Sequence, residues 1–115
     1  SIWEAAMCAS HYGLDNLVVI LDNNKFQQTG TNKFILDSLD LKKKWESFGW
    51  NAQRINGHSH KLLYDAFKSN HNKKPKILIA NTIKGKGISF TEDNNDWHHS
   101  ILTKKLYDQA LKELK

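Results

Sequence analysis

Three loops hold the side chains whose types and spacing suit chemistry. In the first, an apolar run ends at Leu21 and is followed at once by Asp22, Asn23, Asn24 and Lys25. Carboxylate, carboxamide and backbone carbonyl oxygens are the ligands that Mg²⁺ and Ca²⁺ prefer, and Mg²⁺ commonly pairs one or two of them with phosphate oxygens. The same residues also favour a solvated turn through their own backbone bonding, and this stretch alone leaves both readings open. The second loop carries Lys84-Gly85-Lys86-Gly87. Glycines let a backbone approach an anion, and lysine suits phosphate oxygens, but the spacing is not that of a phosphate-binding P-loop, and a flexible surface turn explains it equally well. The third loop carries Trp97, His98 and His99. Histidine titrates near neutral pH and suits proton transfer or a hydrogen bond to phosphate. His58 and His60 are too irregularly spaced from this pair for a standard zinc motif, and His11 and His71 read as surface or helix-end residues. Glu4 is either half of a capping box with Ser1 or a carboxylate that a neighbouring protein chain desolvates.

The elements that must position these loops follow from periodicity and caps. Residues 1–12 read as a helix with Ile2, Ala6 and Ala9 on one face and Gly13 as its stop. Asn16 to Leu21 is a continuous apolar run, the pattern of a parallel strand covered on both faces. Gln27 to Asp37 lacks a period and reads as a loop. Ser38 is placed to cap a short helix that ends before Gly49. "WNAQRI" is a second strand closed by an Asn-Gly turn. Ser59 caps a helix, "HKLLYDAFKSN", with Leu62, Leu63, Ala66 and Phe67 on one apolar face. "KILIAN" is a third strand, a long polar loop follows it, and Thr103 starts a last amphipathic helix. Strands alternating with helices predict an α/β fold: a mostly parallel sheet with right-handed crossovers. Ligands of such sheets sit beyond the carboxyl ends of the strands, where "DNNK", "NGHS" and "TIKGKG" all lie.

Bulk composition narrows the function. The chain has 115 residues, a formal charge of +5 and a single cysteine, Cys8. One cysteine excludes an internal disulfide framework. No apolar run approaches the roughly eighteen residues that cross a bilayer, and the start has no signal-peptide pattern, so a cytoplasmic protein is expected. The lysines are dispersed among acids and form no nucleic-acid-binding run. A single domain over 1–115 is expected.

"WEAAMCASHYGLDNLVVILDNNKFQQTG", "FGWNAQRINGH" and "TIKGKGISFTEDNNDWHH", in this order and spacing, resemble the transketolase family. The match covers nearly the whole chain and is most similar to the thiamine-diphosphate-binding N-terminal portion. "KGKGISF" followed by "DWH" is its most discriminating part. The resemblance implies a three-layer αβα fold, thiamine diphosphate and Mg²⁺ as cofactors, and transfer of a two-carbon ketol unit from a ketose phosphate to an aldose. By position, Asn24 matches the asparagine whose side-chain oxygen binds Mg²⁺, and Phe26 the residue whose carbonyl binds the same ion. Lys84 resembles a residue lying against the cofactor. His98 matches the histidine contacting the diphosphate region and the substrate side, and Glu4 a carboxylate of a proton-linked network near the dimer interface. Partners implied are a C-terminal subunit or domain, in a homodimer or heterotetramer, and sugar phosphates. Two departures stand out. His99 replaces the usual glycine, and the family's Gly-Asp-Gly, whose aspartate binds Mg²⁺, is absent, so the chain reads as a partial domain and is expected to be inactive alone. Loss of the strand that carries Gly-Asp-Gly is expected to expose apolar surface beside Val18 to Leu21. A deoxyxylulose-phosphate-synthase-type enzyme and a non-catalytic assembly module on the same fold are the alternatives.

Overall fold

The computed structural model describes all residues except Asn70, His71 and Lys115; the expected surface position of His71 and the expected helix end at Asn70 lie outside the described residues. The chain forms two compact units, one of Ser1–Asn23 with Ser38–Thr82, the other of Asn24–Asp37 with Ile83–Lys115.

The first unit contains α1 (Ile2–His11), β1 (Val18–Asn23), and, after the segment that belongs to the second unit, a helix Leu41–Ser47, a strand Asn51–Asn56, a helix His60–Lys68 and a strand Lys76–Asn81. The second unit contains β2 (Phe26–Gln27), β3 (Gly30–Thr31), α2 (Asn32–Ile35), a 3₁₀ turn Asn95–His98 and a final helix Lys104–Glu113. In chain order the later helices are α3, α4 and α5, and the later strands β4 and β5.

The sheet of the first unit is parallel, in the order β1-β5-β4. Its central strand β5 buries Lys76 through Ala80. Side chains alternate across a strand, so Ile77 and Ile79 meet one layer, a cluster with Ala6 and Ala9 of α1, Trp45 of α3, Trp50 and Ala52. Trp45 and Trp50 meet edge to face with centroids 4.8 Å apart, the arrangement that suits the charge distribution of aromatic rings. The Trp50 indole N–H donates to the carbonyl oxygen of Ala6 at 2.8 Å, which ties α1 to the cluster. Gly49, with φ +85°, ends α3, and a Cβ there would lie 2.4 Å from the Ser10 hydroxyl.

Lys76 faces the opposite layer. Its ammonium donates to the carbonyl oxygens of Ala66 at 2.8 Å, Phe67 at 3.3 Å and Ser69 at 2.6 Å. It thus satisfies carbonyls that the C-terminus of α4 leaves without helical partners. Burial holds its pKa below 10.5. Helices therefore cover both faces of the sheet, the expected αβα layering.

Local expectations meet several corrections. β1 is an edge strand rather than one covered on both faces: Val19 and Leu21 pack on the core, while Ile20 is 54% exposed. α3 is capped by Asp40, not Ser38, through Lys43 N–H at 3.3 Å. Arg54 on β4 also holds Asp40, at 2.5 Å. Ser1 makes no side-chain cap bond; the Glu4 carboxylate lies 3.2 Å from the Ser1 amine instead. On α4 only Ala66 is buried, and Leu62 and Phe67 are each 45% exposed. The stretch 27–37 is not a plain loop, since it contains part of β2 together with β3 and α2. Ser59 and Thr103 cap α4 and α5 as expected. Among the described residues, no helix is long and apolar enough to cross a membrane.

Candidate functional site

The three parallel strands of the first unit end in register on asparagines, with Asn23 and Asn56 both opposite Asn81. The Asn23 amide donates to Asn81 Oδ1 at 2.8 Å, and the Thr82 hydroxyl donates to Asp22 Oδ1. A polar rail thus closes the carboxyl edge of the sheet, where sequence patterning places the loops. Glu4 belongs to this unit and is exposed on α1.

The other four candidates lie in the second unit. Asn24 Oδ1 accepts the Phe26 backbone N–H at 2.9 Å. Lys25 between them adopts φ +69°, so the chain reverses tightly and starts the β2–β3 hairpin, whose register pairs Phe26 with Thr31 and Gln27 with Gly30. Phe26, Lys25, Thr31 and Asp93 line a cavity of about 460 Å³, a size suited to small ligands.

Lys84 is half-buried at the head of the glycine loop. Its carbonyl accepts the Asp93 N–H at 3.0 Å. Gly85 has φ +70°, and a Cβ there would lie 2.4 Å from the Thr91 carbonyl oxygen. This glycine is required by the chain's own packing rather than by a ligand's approach. The Thr91 hydroxyl donates to the Gly85 carbonyl at 2.8 Å, Gly87 N–H donates to Glu92 at 3.0 Å, and Glu113 of α5 accepts both the N–H and the hydroxyl of Ser89. Those bonds from Ser89, the backbone one foremost, and one from Gln109 hold the Glu113 carboxyl below 4.5. The segment is a built loop, not a flexible turn.

His98 and His99 are exposed, with ring centroids 4.5 Å apart and rings nearly perpendicular. Two residues that sequence reasoning overlooked join them to the hairpin. Gln28 Nε2 lies 3.5 Å from His99 Nε2, and Asn95 Nδ2 donates to the Gln28 carbonyl at 3.3 Å. Gln28 and Thr29 form a two-residue turn without positive φ, so it lacks the Asn-Gly signature by which such hairpins are recognised. The structure thus joins Asn24 to Phe26, and the hairpin to the His98 loop. Lys84 is joined to that loop through Asp93.

Among the described residues, no three His, Cys, Asp or Glu side chains gather as a metal site. The oxygens of Asn24 and Phe26 are neutral and hard. A carboxamide oxygen has two lone pairs, and the Asn24 oxygen uses one to accept the Phe26 N–H. This donor set fits Mg²⁺ only together with an anionic ligand that balances its charge.

The family described as transketolase, thiamine diphosphate binding domain, matches residues 2–114. The chain is 45% identical over 116 residues to one of the subunits of apulose-4-phosphate transketolase from Actinobacillus succinogenes, a match spanning 100% of this chain and 42% of that protein. It is 40% identical to transketolase of Homo sapiens across 99% of this chain and 18% of that one. The crystal structure of transketolase from Campylobacter jejuni superposes with a TM-score of 0.83 and 28% identity, across 97% of this chain and 18% of that chain. The chain therefore spans less than half the length of these relatives.

Proposed function

The chain belongs to the transketolase family, as its thiamine-diphosphate-binding portion, and from that premise we propose that it forms part of an enzyme that moves a two-carbon ketol unit from a ketose phosphate to an aldose. The bound cofactor supplies the carbon chemistry; this chain's residues bind and orient it. Asn24 Oδ1 and the Phe26 carbonyl hold Mg²⁺ on the diphosphate. Lys84 lies against the cofactor, and His98 donates a hydrogen bond towards the diphosphate and the substrate side. Glu4 takes part from α1 in a proton-linked network that another chain completes. The catalytic unit includes a C-terminal transketolase subunit or domain, since each relative is much longer than this chain.

The observation that carries this reading is the turn that follows β1 in sequence, in which the Asn24 carboxamide oxygen accepts the Phe26 N–H. Asn24→Ala in the complete enzyme is expected to weaken Mg²⁺-dependent thiamine diphosphate binding by at least about tenfold, the scale of losses around metal sites. Titration by tryptophan fluorescence measures it. An unchanged affinity with unchanged Mg²⁺ dependence would overturn the assignment of the ion site.

A further inference from the structure

Gln28 has no part in the proposed chemistry, yet it is where the hairpin meets the histidine loop. Its backbone carbonyl accepts from Asn95 at 3.3 Å, and its side-chain amide reaches His99 Nε2 at 3.5 Å. An amide nitrogen only donates, so Gln28 is the donor side of this contact. The His99 ring in turn stands edge-on to His98, with 4.5 Å between centroids. The side-chain contact is long for a hydrogen bond, but the loop is held at a second point by Asn95. The Asn95 carboxamide oxygen is buried and has no hydrogen-bond partner among the described residues. A buried acceptor left this way is costly, and its other end is spent on the Gln28 carbonyl.

From this chain of contacts we infer that Gln28 is a positioning residue, which sets the His98 ring through His99 and so fixes it against the hairpin that starts at Asn24 and Phe26. The inference rests on the proposed cofactor role of His98. The ligand class it serves is an organic diphosphate. Gln28 is exposed and buries little, so its removal spares packing while releasing the His99 ring. The arrangement also gives His99 a role: a glycine at this position has no ring to set against His98.

The test uses the complete enzyme with selectively labelled histidines. Without cofactor, Gln28→Ala is expected to shift or broaden the imidazole resonances of both His98 and His99. With Mg²⁺ present, it is expected to weaken thiamine diphosphate binding about tenfold, as loss of partners that orient a binding group commonly does. In a His98→Ala background the same substitution is expected to add no further loss, because the two residues act as one unit. Unchanged His98 resonances overturn the inference, and so does an equal loss in both backgrounds. If His98→Ala alone leaves cofactor affinity intact, the cofactor role of His98 fails, while the ring resonances still decide whether Gln28 positions it. Asn95→Ala serves as the second variant, expected to move the same resonances by freeing the loop backbone.

Discussion

In the first unit, β5 buries five consecutive residues between parallel strands on either side. In the second, the segment from Lys84 to Thr91 buries none completely and is held by individual polar bonds from Thr91, Glu92 and Glu113. One region draws its order from area removed from water, which is non-directional and tolerant of small displacements. The other draws it from directional bonds that place particular atoms. The proposed site, which would aim ligands at a diphosphate, is better served by the second kind of order, on a chain whose stability comes from the first.

Substitution in the sheet should have the largest effect. Ile79 is fully buried, and Ile79→Ala is expected to cost about 2–5 kcal/mol from lost transfer energy and the cavity left behind. Denaturant midpoints of the complete enzyme measure it. A loss as small as that of an exposed site would show that the two regions do not differ as described.

Gly85→Ala should come next, and act locally. The left-handed conformation alone costs an L-residue roughly 1–2 kcal/mol, and the contact with the Thr91 backbone forces a further shift. Hydrogen exchange should show lost protection from Lys84 to Asn94 with the sheet unchanged. Equal loss in both regions would mean that the loop and the sheet open together.

Glu113→Gln should have the smallest effect and reveal itself through pH. The folded-state carboxyl is held below 4.5 by its bonds from Ser89 and Gln109. Its stabilisation is therefore present above the unfolded value and disappears as pH falls through the folded one. The protection of the Ser89 amide, corrected for the intrinsic rate, should fall with acid in the parent chain and stay level in Glu113→Gln. Parallel curves would remove Glu113 as the loop's anchor.

Much of the fold was legible because its signals are local. "KILIAN" coincides with β5, and Ser59 and Thr103 cap their helices through the N–H three residues on. Ser38 and Asp40 are equally suitable caps by type, and Arg54 on β4 accompanies the choice of Asp40. The β2–β3 hairpin went unread because its turn residues are Gln and Thr. The four candidates of the second unit were read from motif resemblance. Gln28 was not, because nothing in its own neighbourhood marks it.

The sequence by itself determined which segments of the first unit become helices and strands, the last helix, their order, and the polar chemistry gathered after the strands. Those properties depend on period, caps and residue type within a few positions. Tertiary structure alone decided that β5 rather than β1 is the central strand, that Lys76 closes the end of α4, and that Gln28 meets His99, 71 positions away. Each depends on which surfaces the crossovers and turns bring together, and no local preference encodes that.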